Sequence, residues 1–254
     1  MNSQRILTTS MICLLTICSL TLAKAQTQNL RAATAASYLD RGNAWAAKGE
    51  LDRAIADFDL AIASDPTFAA AYYNRGVARY HKSDFDGALA DFDRAIRLDP
   101  RFIQAYVDRA GIRYARGDLD GVISDNTKAI DLDPRLAQAW SNRGLARMDK
   151  GDLDGALADF DRSLKLNAKC AETWNNRGLA RHLKGDIDGA IDDHSQAIKL
   201  KPGFAGALAN RGMARLRQGH EAAAQRDFDQ CFRLDPNLRP LLEQRIKEVK
   251  EGVR

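Results

Sequence analysis

The side chains in this sequence that are most able to do chemistry are arginines and aspartates, and they recur in fixed pairs. In each pair an Asp follows an Arg by sixteen residues. The six pairs are Arg41 with Asp57, Arg75 with Asp91, Arg109 with Asp125, Arg143 with Asp159, Arg177 with Asp193, and Arg211 with Asp227. Functional groups with perturbed pKa values are usually few and local, whereas these are copied along the chain. The pattern therefore predicts a structural ladder of ion pairs.

A second recurrent group is the sequence Asp-x-Asp-Gly, which begins at Asp84, Asp118, Asp152 and Asp186. Carboxylates at alternate positions also occur in the calcium loop of EF-hands. That loop requires a third ligand before its Gly and a Glu at its end, and these fragments have neither. Each fragment instead precedes an amphipathic stretch, where acidic side chains are favoured by the helix dipole. We therefore expect helix capping at these sites and no calcium binding.

Four histidines, His81, His182, His194 and His220, are further candidates for metal binding or acid–base catalysis. No two of them have the spacing of metal ligands on one helix, and none shares a predicted helix with a Cys. No phosphate-binding loop, nucleophile elbow or carboxylate dyad stands out from the repeated pattern. We predict no metal, no cofactor and no catalytic residue. A hydrolase or transferase site between repeats stays open as an alternative, because residue spacing would not reveal it.

All of these groups follow a period of 34 residues, which is marked by proline. The points of this grid are Pro66, Pro100, Pro134, Ala168, Pro202 and Pro236. With Pro placed at repeat position 32, position 4 is aromatic in five of six copies, position 8 is Gly in five, and position 20 is Ala in five. A fixed period of about 20–50 residues indicates a stack of identical supersecondary units.

This pattern resembles the tetratricopeptide repeat family, whose repeat has an aromatic residue, Gly, Ala, a second aromatic residue at position 24 and Pro in this order. The resemblance covers residues 35–238 as six copies: 35–68, 69–102, 103–136, 137–170, 171–204 and 205–238. Position 7 departs from the family pattern, being Arg throughout, and position 24 departs at Asn126 and His194. The family implies an all-α solenoid of antiparallel helix pairs, a TPR superhelix, that binds proteins or peptides.

Each copy contains two apolar-periodic stretches of about 13 residues, which is the pattern of two amphipathic helices. A breaker pair separates them, such as Gly151-Asp152, in which Gly suits a left-handed helix end and Asp suits the next N-terminus. A stack of hairpins needs a cover for its last apolar face. Residues 239–254 are predicted to be this C-terminal capping helix, with an apolar stripe of Leu241, Leu242, Ile246 and Val249.

Residues 1–25 have the features of a secretory signal peptide. Arg5 supplies the positively charged n-region, residues 6–22 are largely apolar, and Ala23-Lys24-Ala25 is an A-x-A cleavage site. The alternative is an uncleaved membrane anchor, but the apolar stretch is diluted by Ser and Thr and is short for a span of about 20 residues. We expect cleavage after Ala25, a linker at 26–34, and a periplasmic or secreted protein. Membrane attachment is expected only if the signal stays uncleaved.

The net charge limits the class of partner that the protein could bind. The net charge is only +4, and Arg5 and Lys24 of the leader contribute two of these charges, which argues against a nucleic-acid or anionic-membrane surface. Two cysteines, Cys170 and Cys231, follow the leader, and they lie in repeats two units apart. Units of a solenoid contact only their neighbours, so we expect two small buried thiols and no disulfide. The oligomeric state is unknown from the sequence.

The resemblance places positions 2, 5, 6, 9, 12 and 13 of the first helices on the concave surface. Position 6 carries short amides and acids that can pair with the backbone of an extended peptide, and position 12 adds apolar and aromatic side chains. The candidate groove residues are Tyr73, Asn74, Tyr80, Tyr114, Asn142, Met148, Asn176, His182 and Asn210. The alternative is an Asn row that bonds only within the solenoid.

One binding mode of the family, a carboxylate clamp for the C-terminus of a cytosolic chaperone, is not matched. Asn43 and Asn74 fit the clamp, but Leu39, Gln104 and Asp108 occupy its cation positions. An acid at the carboxylate position is repulsive. We therefore predict a non-catalytic exported scaffold that binds a protein or extended peptide in its groove. The main alternative is an accessory subunit of an envelope assembly or secretion complex, which would use its convex face.

Overall fold

The computed structural model describes residues 26–251, which are helical apart from turns. The predicted signal peptide lies outside these residues. Two compact units are present: the first unit ends at Ala105 and the second unit begins at Tyr106. Among residues 26–251, no helix has both the length and the apolar character that a membrane crossing requires.

Helices of 13 or 14 residues alternate along most of the chain. The first unit contains α1 (26–47), α2 (Leu51–Ser64), α3 (Ala69–His81) and α4 (Phe85–Leu98), and the boundary falls in α5 (Ile103–Ala115). The second unit continues with α6 (Leu119–Leu132), α7 (Ala137–Asp149), α8 (Leu153–Leu166), α9 (Ala171–Leu183), α10 (Ile187–Leu200), α11 (Ala205–Arg217), α12 (Glu221–Leu234), a 3-10 turn (Pro236–Leu238) and α13 (Arg239–Lys250).

Consecutive helices pack as antiparallel pairs, and the predicted all-α fold class is confirmed. In the second unit α7 packs against α8, and α8 packs in turn against α9. The Ser163 hydroxyl, near the end of α8, donates to the Ala137 carbonyl at the start of α7 over 2.8 Å, which fixes the antiparallel direction. The same pairing recurs for α3 with α4, α9 with α10 and α11 with α12.

The core of a hairpin forms where position 24 of its second helix meets position 8 of its first helix. Phe160 is fully buried, and a Cβ atom added to Gly144 would lie 2.9 Å from the Phe160 ring. Only Gly leaves room for this ring, which explains the pairing of the two positions. Phe58, Phe92 and Phe228 occupy the equivalent sites and are equally buried.

The turn between the two helices of a hairpin requires a left-handed backbone. Gly151 has φ of 85°, and the equivalent Gly residues have φ between 76° and 87°. In the second hairpin this position is Ser83, with φ of 64°, a conformation that L residues rarely adopt. The predicted breaker pairs therefore lie at the turns, and their conformational role is that of an αL helix cap.

Two assignments made from the sequence need correction. Residues 26–34, assigned to a linker, are part of α1, because residues 26–41 contain neither Gly nor Pro and are rich in helix-forming Ala. Leu241, assigned to the apolar stripe of the capping helix, is 56% exposed. Adjacent residues of a helix point about 100° apart, so Leu241 cannot share the face on which Leu242 is buried. Ile246 and Val249 do pack with Leu242 against the last hydrophobic core.

Candidate functional site

In each of the six hairpins, the repeated Arg donates two parallel hydrogen bonds to the repeated Asp. In the fourth hairpin, Arg143 Nε donates to Asp159 Oδ2 over 2.9 Å, and Nη2 donates to Oδ1 over 2.8 Å. The five equivalent pairs are Arg41–Asp57, Arg75–Asp91, Arg109–Asp125, Arg177–Asp193 and Arg211–Asp227. Bidentate pairing fixes the geometry of the guanidinium group, which suits a structural contact between the two helices.

A second Arg, which the sequence analysis missed, contacts the same Asp. Arg147 Nη1 lies 2.9 Å from Asp159 Oδ2, and its Nε lies 3.7 Å from Asp152, the N-cap of α8. Residues at this repeat position, which is position 11, are Arg79, Arg113, Arg147, Arg181 and Arg215. The missed signal was available, because position 11 is Arg in five of the six copies. The predicted ladder is therefore a cluster of two arginines and two aspartates in most hairpins.

The aromatic residue at position 4 completes this cluster. The Arg143 guanidinium carbon lies 4.8 Å from the centroid of the Trp140 ring, and Trp140 Nε1 donates to the Pro134 carbonyl over 3.0 Å. Trp174 and Arg177 repeat this arrangement at 4.7 Å. The cation–π contact and the hydrogen bond hold both side chains in place. These arginines are consequently engaged on every side and are not available to a ligand.

The first hairpin has a more exposed version of the pair. The Arg41 side chain is 56% exposed, whereas the position 7 arginines of the other five hairpins are 11–16% exposed. The Arg41 hydrogen bond lowers the pKa of the Asp57 carboxyl below its ordinary value. Trp45 replaces the second Arg in this hairpin. Water therefore screens the first pair more than the others.

The Asp-x-Asp-Gly fragments act as helix caps in the structure. Asp152 precedes α8, and its Oδ1 accepts a hydrogen bond from the Gly155 amide over 3.0 Å. Asp84, Asp118 and Asp186 do the same for α4, α6 and α10. The cap leaves no room at the Gly, because a Cβ atom there would lie 2.2 Å from the Asp152 carboxylate. Capping thus accounts for the first Asp and the Gly of the motif, whereas the second Asp contacts the next repeat, as Asp120 does with Lys150 and Asp154 does with Lys184.

Position 24 is polar in two hairpins, and both polar residues are fully buried. Asn126 Nδ2 donates to the Val122 carbonyl over 2.9 Å, and His194 Nδ1 lies 3.1 Å from Asn175 Oδ1. Burial lowers the pKa of His194 to about 3, so the ring is neutral at physiological pH. Within residues 26–251, Asn126 Oδ1 and His194 Nε2 have no hydrogen-bond partner. Such groups are rare in protein cores and single out these two hairpins.

The predicted groove residues fall into three groups by exposure. Tyr80 and Tyr114 are exposed, Met148 is buried, and the remaining residues are half-buried. The latter are Tyr73, Asn74, Asn142, Asn176, His182 and Asn210. Met148 is a correction to the prediction, because its flexible side chain fills the core between Phe160 and Ala180 and offers no surface to a partner.

The asparagines at position 6 differ in their hydrogen bonds. Asn74 donates to Asn43 over 2.7 Å, and Asn210 donates to Asn175 over 3.0 Å. In the described part of the chain, the side-chain amides of Asn142 and Asn176 have no such partner. The alternative of an Asn row bonded only within the solenoid therefore applies to some copies, and two copies have free amides.

The remaining groove candidates are held by local contacts. The Tyr73 ring packs 4.6 Å from the Phe102 ring, and the exposed Tyr80 ring packs edge-on against Phe85. The Tyr114 hydroxyl donates to Asp149 over 2.6 Å, and partial desolvation of the hydroxyl together with this hydrogen bond raises its pKa to about 12. His182 has its pKa lowered, mainly by burial and also by the charge of Arg217.

The two cysteines that follow the predicted leader are free thiols. Cys231 is buried in the last hydrophobic core, as expected. Cys170 is only half-buried at the start of α9, where the Thr173 hydroxyl lies 3.2 Å from its Sγ atom. The expectation that both thiols are buried is therefore wrong for Cys170, because it occupies a helix N-cap at the surface.

Comparison with known protein families assigns the repeat. Profiles described as tetratricopeptide repeat or TPR repeat match residues 42–83, 69–102, 101–166, 141–205 and 205–238. The chain belongs to the tetratricopeptide repeat family. No curated protein sequence matches this TPR protein significantly.

Solved structures with the same fold include other TPR proteins. PilF of Pseudomonas aeruginosa is 18% identical with a TM-score of 0.73, and the match covers 85% of this chain and 98% of PilF. A tetratricopeptide repeat protein of Parabacteroides merdae is 19% identical with a TM-score of 0.72, covering 87% and 88%. YrrB, a TPR protein described as having an unusual peptide-binding site, is 24% identical with a TM-score of 0.62, covering 73% and 95%. At these identities the similarity shows the shared fold.

Proposed function

We propose that this TPR protein is a non-catalytic scaffold that binds an extended peptide or protein segment along the first helices of its second unit. The observation that carries the proposal is the pair of free amides on Asn142 and Asn176. They occupy the same position of α7 and α9, two first helices that contact each other directly. Both are half-buried, which keeps their geometry defined while leaving one face accessible.

The chemistry of these two side chains suits a peptide backbone. An Asn side chain offers both a donor and an acceptor, and an extended peptide presents both groups in turn. The half-buried His182 and the exposed Leu183 add an apolar surface near the end of α9. The shared fold with YrrB, which has a peptide-binding site, is consistent with this use of the fold.

We propose further that the protein acts outside the cytoplasm, in the periplasm or as a secreted protein. The support is the arrangement of Arg5, the apolar residues 6–22 and the Ala23-Lys24-Ala25 site. Determining the N-terminal residue of the protein recovered from the cell envelope tests this directly. A start at Gln26 is expected, whereas a retained Met1 would contradict cleavage.

Partner capture from an envelope extract tests the groove. Immobilised protein beginning at Gln26 is compared with a variant carrying Asn142→Ala and Asn176→Ala. We expect the variant to lose the captured partner, and its thermal midpoint to stay close to that of the parent because neither amide has a hydrogen bond to lose.

The matched control changes two exposed residues on second helices, Lys165→Ala and Lys199→Ala. This control should capture the partner as well as the parent does. Equal capture by the Asn variant would show that these groove residues do not bind the partner. Loss of capture in the Lys variant alone would instead favour an accessory subunit that uses its convex face.

A further inference from the structure

A cavity of about 380 Å³ lies between α9, α10, α11 and α13 of the second unit. Half-buried apolar side chains contribute one part of its lining, namely Leu179, Met213 and Val249. The exposed Arg217 and Arg245 contribute another part. The volume lies within the range of about 300–1,000 Å³ that is typical of small ligand sites.

Arg217 and Arg245 differ from the arginines of the ladder. Within the part of the chain that the structure describes, neither makes an ion pair or a side-chain hydrogen bond. Glu248 also lines the cavity, but its carboxylate accepts from Gln244 over 3.0 Å and from neither Arg. Burial and the nearby Arg217 lower the pKa of His182, which favours the neutral form of its ring. Two guanidinium groups therefore face one carboxylate, and the cavity carries an excess positive charge.

Polar residues also border the cavity, because His194 and Asn210 are part of its lining. Asn175 Oδ1 accepts from Asn210 Nδ2 over 3.0 Å and lies 3.1 Å from His194 Nδ1. Because this oxygen can only accept, His194 Nδ1 carries the ring proton and Nε2 is left as an acceptor. Nε2 is buried and has no partner within residues 26–251. Because Nε2 is closed to solvent, this polar group borders the cavity without offering a hydrogen bond to a ligand.

We propose that this cavity binds the C-terminal residue of the partner, with its carboxylate between Arg217 and Arg245 and an apolar side chain against Leu179, Met213 and Val249. A C-terminal residue is the part of a peptide in which a carboxylate and an apolar side chain occur together. An internal Asp or Glu side chain lacks the apolar group, and a cation would be repelled by the two arginines. The inference rests on the proposed peptide-binding function and specifies how one end of the peptide is held.

Histidine ring resonances give a direct readout, because two of the four histidines line the cavity and two lie elsewhere. Protein labelled at histidine is titrated with N-acetyl-leucine and, separately, with N-acetyl-leucinamide. The free acid should shift the resonances of His182 and His194 and leave His81 and His220 unchanged. The amide, which lacks only the charge, should cause no shift.

Variants then identify the groups that hold the carboxylate. Arg217→Gln and Arg245→Gln should each weaken the binding of N-acetyl-leucine by roughly tenfold, as expected for loss of a charge-assisted hydrogen bond. Arg233→Gln, an exposed Arg on α12 that does not line the cavity, serves as the matched control and should bind as the parent does.

Equal shifts with the acid and the amide, or no shift with either, would overturn the proposal. Stronger binding of N-acetyl-Ala-Asp-Ala-amide than of N-acetyl-leucine would also overturn it, because the recognised group would then be an internal acid. This outcome is separable from failure of the groove. If N-acetyl-leucine does not bind while the Asn142 and Asn176 variant still loses its partner, the groove proposal stands and only the C-terminal assignment is wrong.

Discussion

The fourth hairpin (137–170) and the fifth hairpin (171–204) have the same framework and different cores. Arg143 with Asp159 and Arg177 with Asp193 form equivalent bidentate pairs. At position 24, however, the fourth hairpin has the fully buried Phe160, whereas the fifth has the fully buried His194. The difference teaches that repeated residues form the scaffold, and that departures from the repeat indicate where the chain has a more specific task. The polar core of the fifth hairpin borders the cavity with the unpaired arginines.

The largest effect is expected from removing the shared Asp. Asp159→Asn and Asp193→Asn each leave two arginines facing a neutral amide at a site that is at most 2% exposed. Breaking a buried ion pair costs about 3–5 kcal/mol of unfolding free energy. Urea titrations should show similar losses for both variants. A much smaller loss for Asp193→Asn would show that the two hairpins do not share a framework.

Exchanging the two core residues should give effects of opposite sign. Phe160→His places a polar ring in an apolar core without a partner and should destabilise the protein by about 2–4 kcal/mol. His194→Phe removes the unpartnered Nε2 and should stabilise by about 1 kcal/mol, since Gly178 leaves the same room for a ring as Gly144. Thermal unfolding measures both. Destabilisation by His194→Phe would contradict the assignment of position 24 as a core aromatic site.

The third hairpin offers a matched test of the same packing rule. Its position 24 is the small Asn126, and Ala110 replaces the usual Gly at position 8. Asn126→Phe alone should therefore destabilise by overpacking, by about 1–3 kcal/mol. Adding Ala110→Gly should recover most of this loss. If the double variant is no better than the single variant, the two positions are not coupled.

The pH dependence of stability should differ between the parent and His194→Phe. The pKa of His194 is about 3 in the folded protein, whereas an unfolded His has a pKa of about 6.5. Between these values the unfolded state binds a proton that the folded state does not bind. Stability should therefore fall as the pH drops below about 6.5, with a contribution approaching about 1.4 kcal/mol per pH unit. Unfolding at pH 7 and pH 5 should show a smaller decrease for His194→Phe than for the parent, and equal decreases would contradict a buried neutral ring.

Much of this arrangement follows from the sequence because it is repeated. The 34-residue grid predicts the helix pairs, and the Arg and Asp spacing predicts the ladder. The contact of Arg147 was missed because the sixteen-residue spacing assigns a single Arg to each Asp, whereas Asp159 binds both Arg143 and Arg147. Met148 was placed in the groove by its repeat position alone, whereas local packing determines its burial.

The cavity could not be predicted from the repeat, because Arg245, Glu248 and Val249 of its lining come from the C-terminal helix. Arg217 and Arg245 lie on α11 and α13, and α13 is outside the repeated region. Their proximity depends on how α13 packs against α11, which no sequence period encodes. The same holds for Leu241, whose exposure depends on the rotation of α13.

The central claim is that the paired arginines hold the fold and that the unpaired arginines are free for a ligand. The thermal midpoints of Arg143→Gln and Arg217→Gln test it most directly. Arg143→Gln should lower the midpoint by about 5 °C or more, because a buried charge pair is broken. Arg217→Gln should leave the midpoint within about 1 °C of the parent, as is usual for exposed residues without partners. Equal decreases for the two variants would contradict the claim.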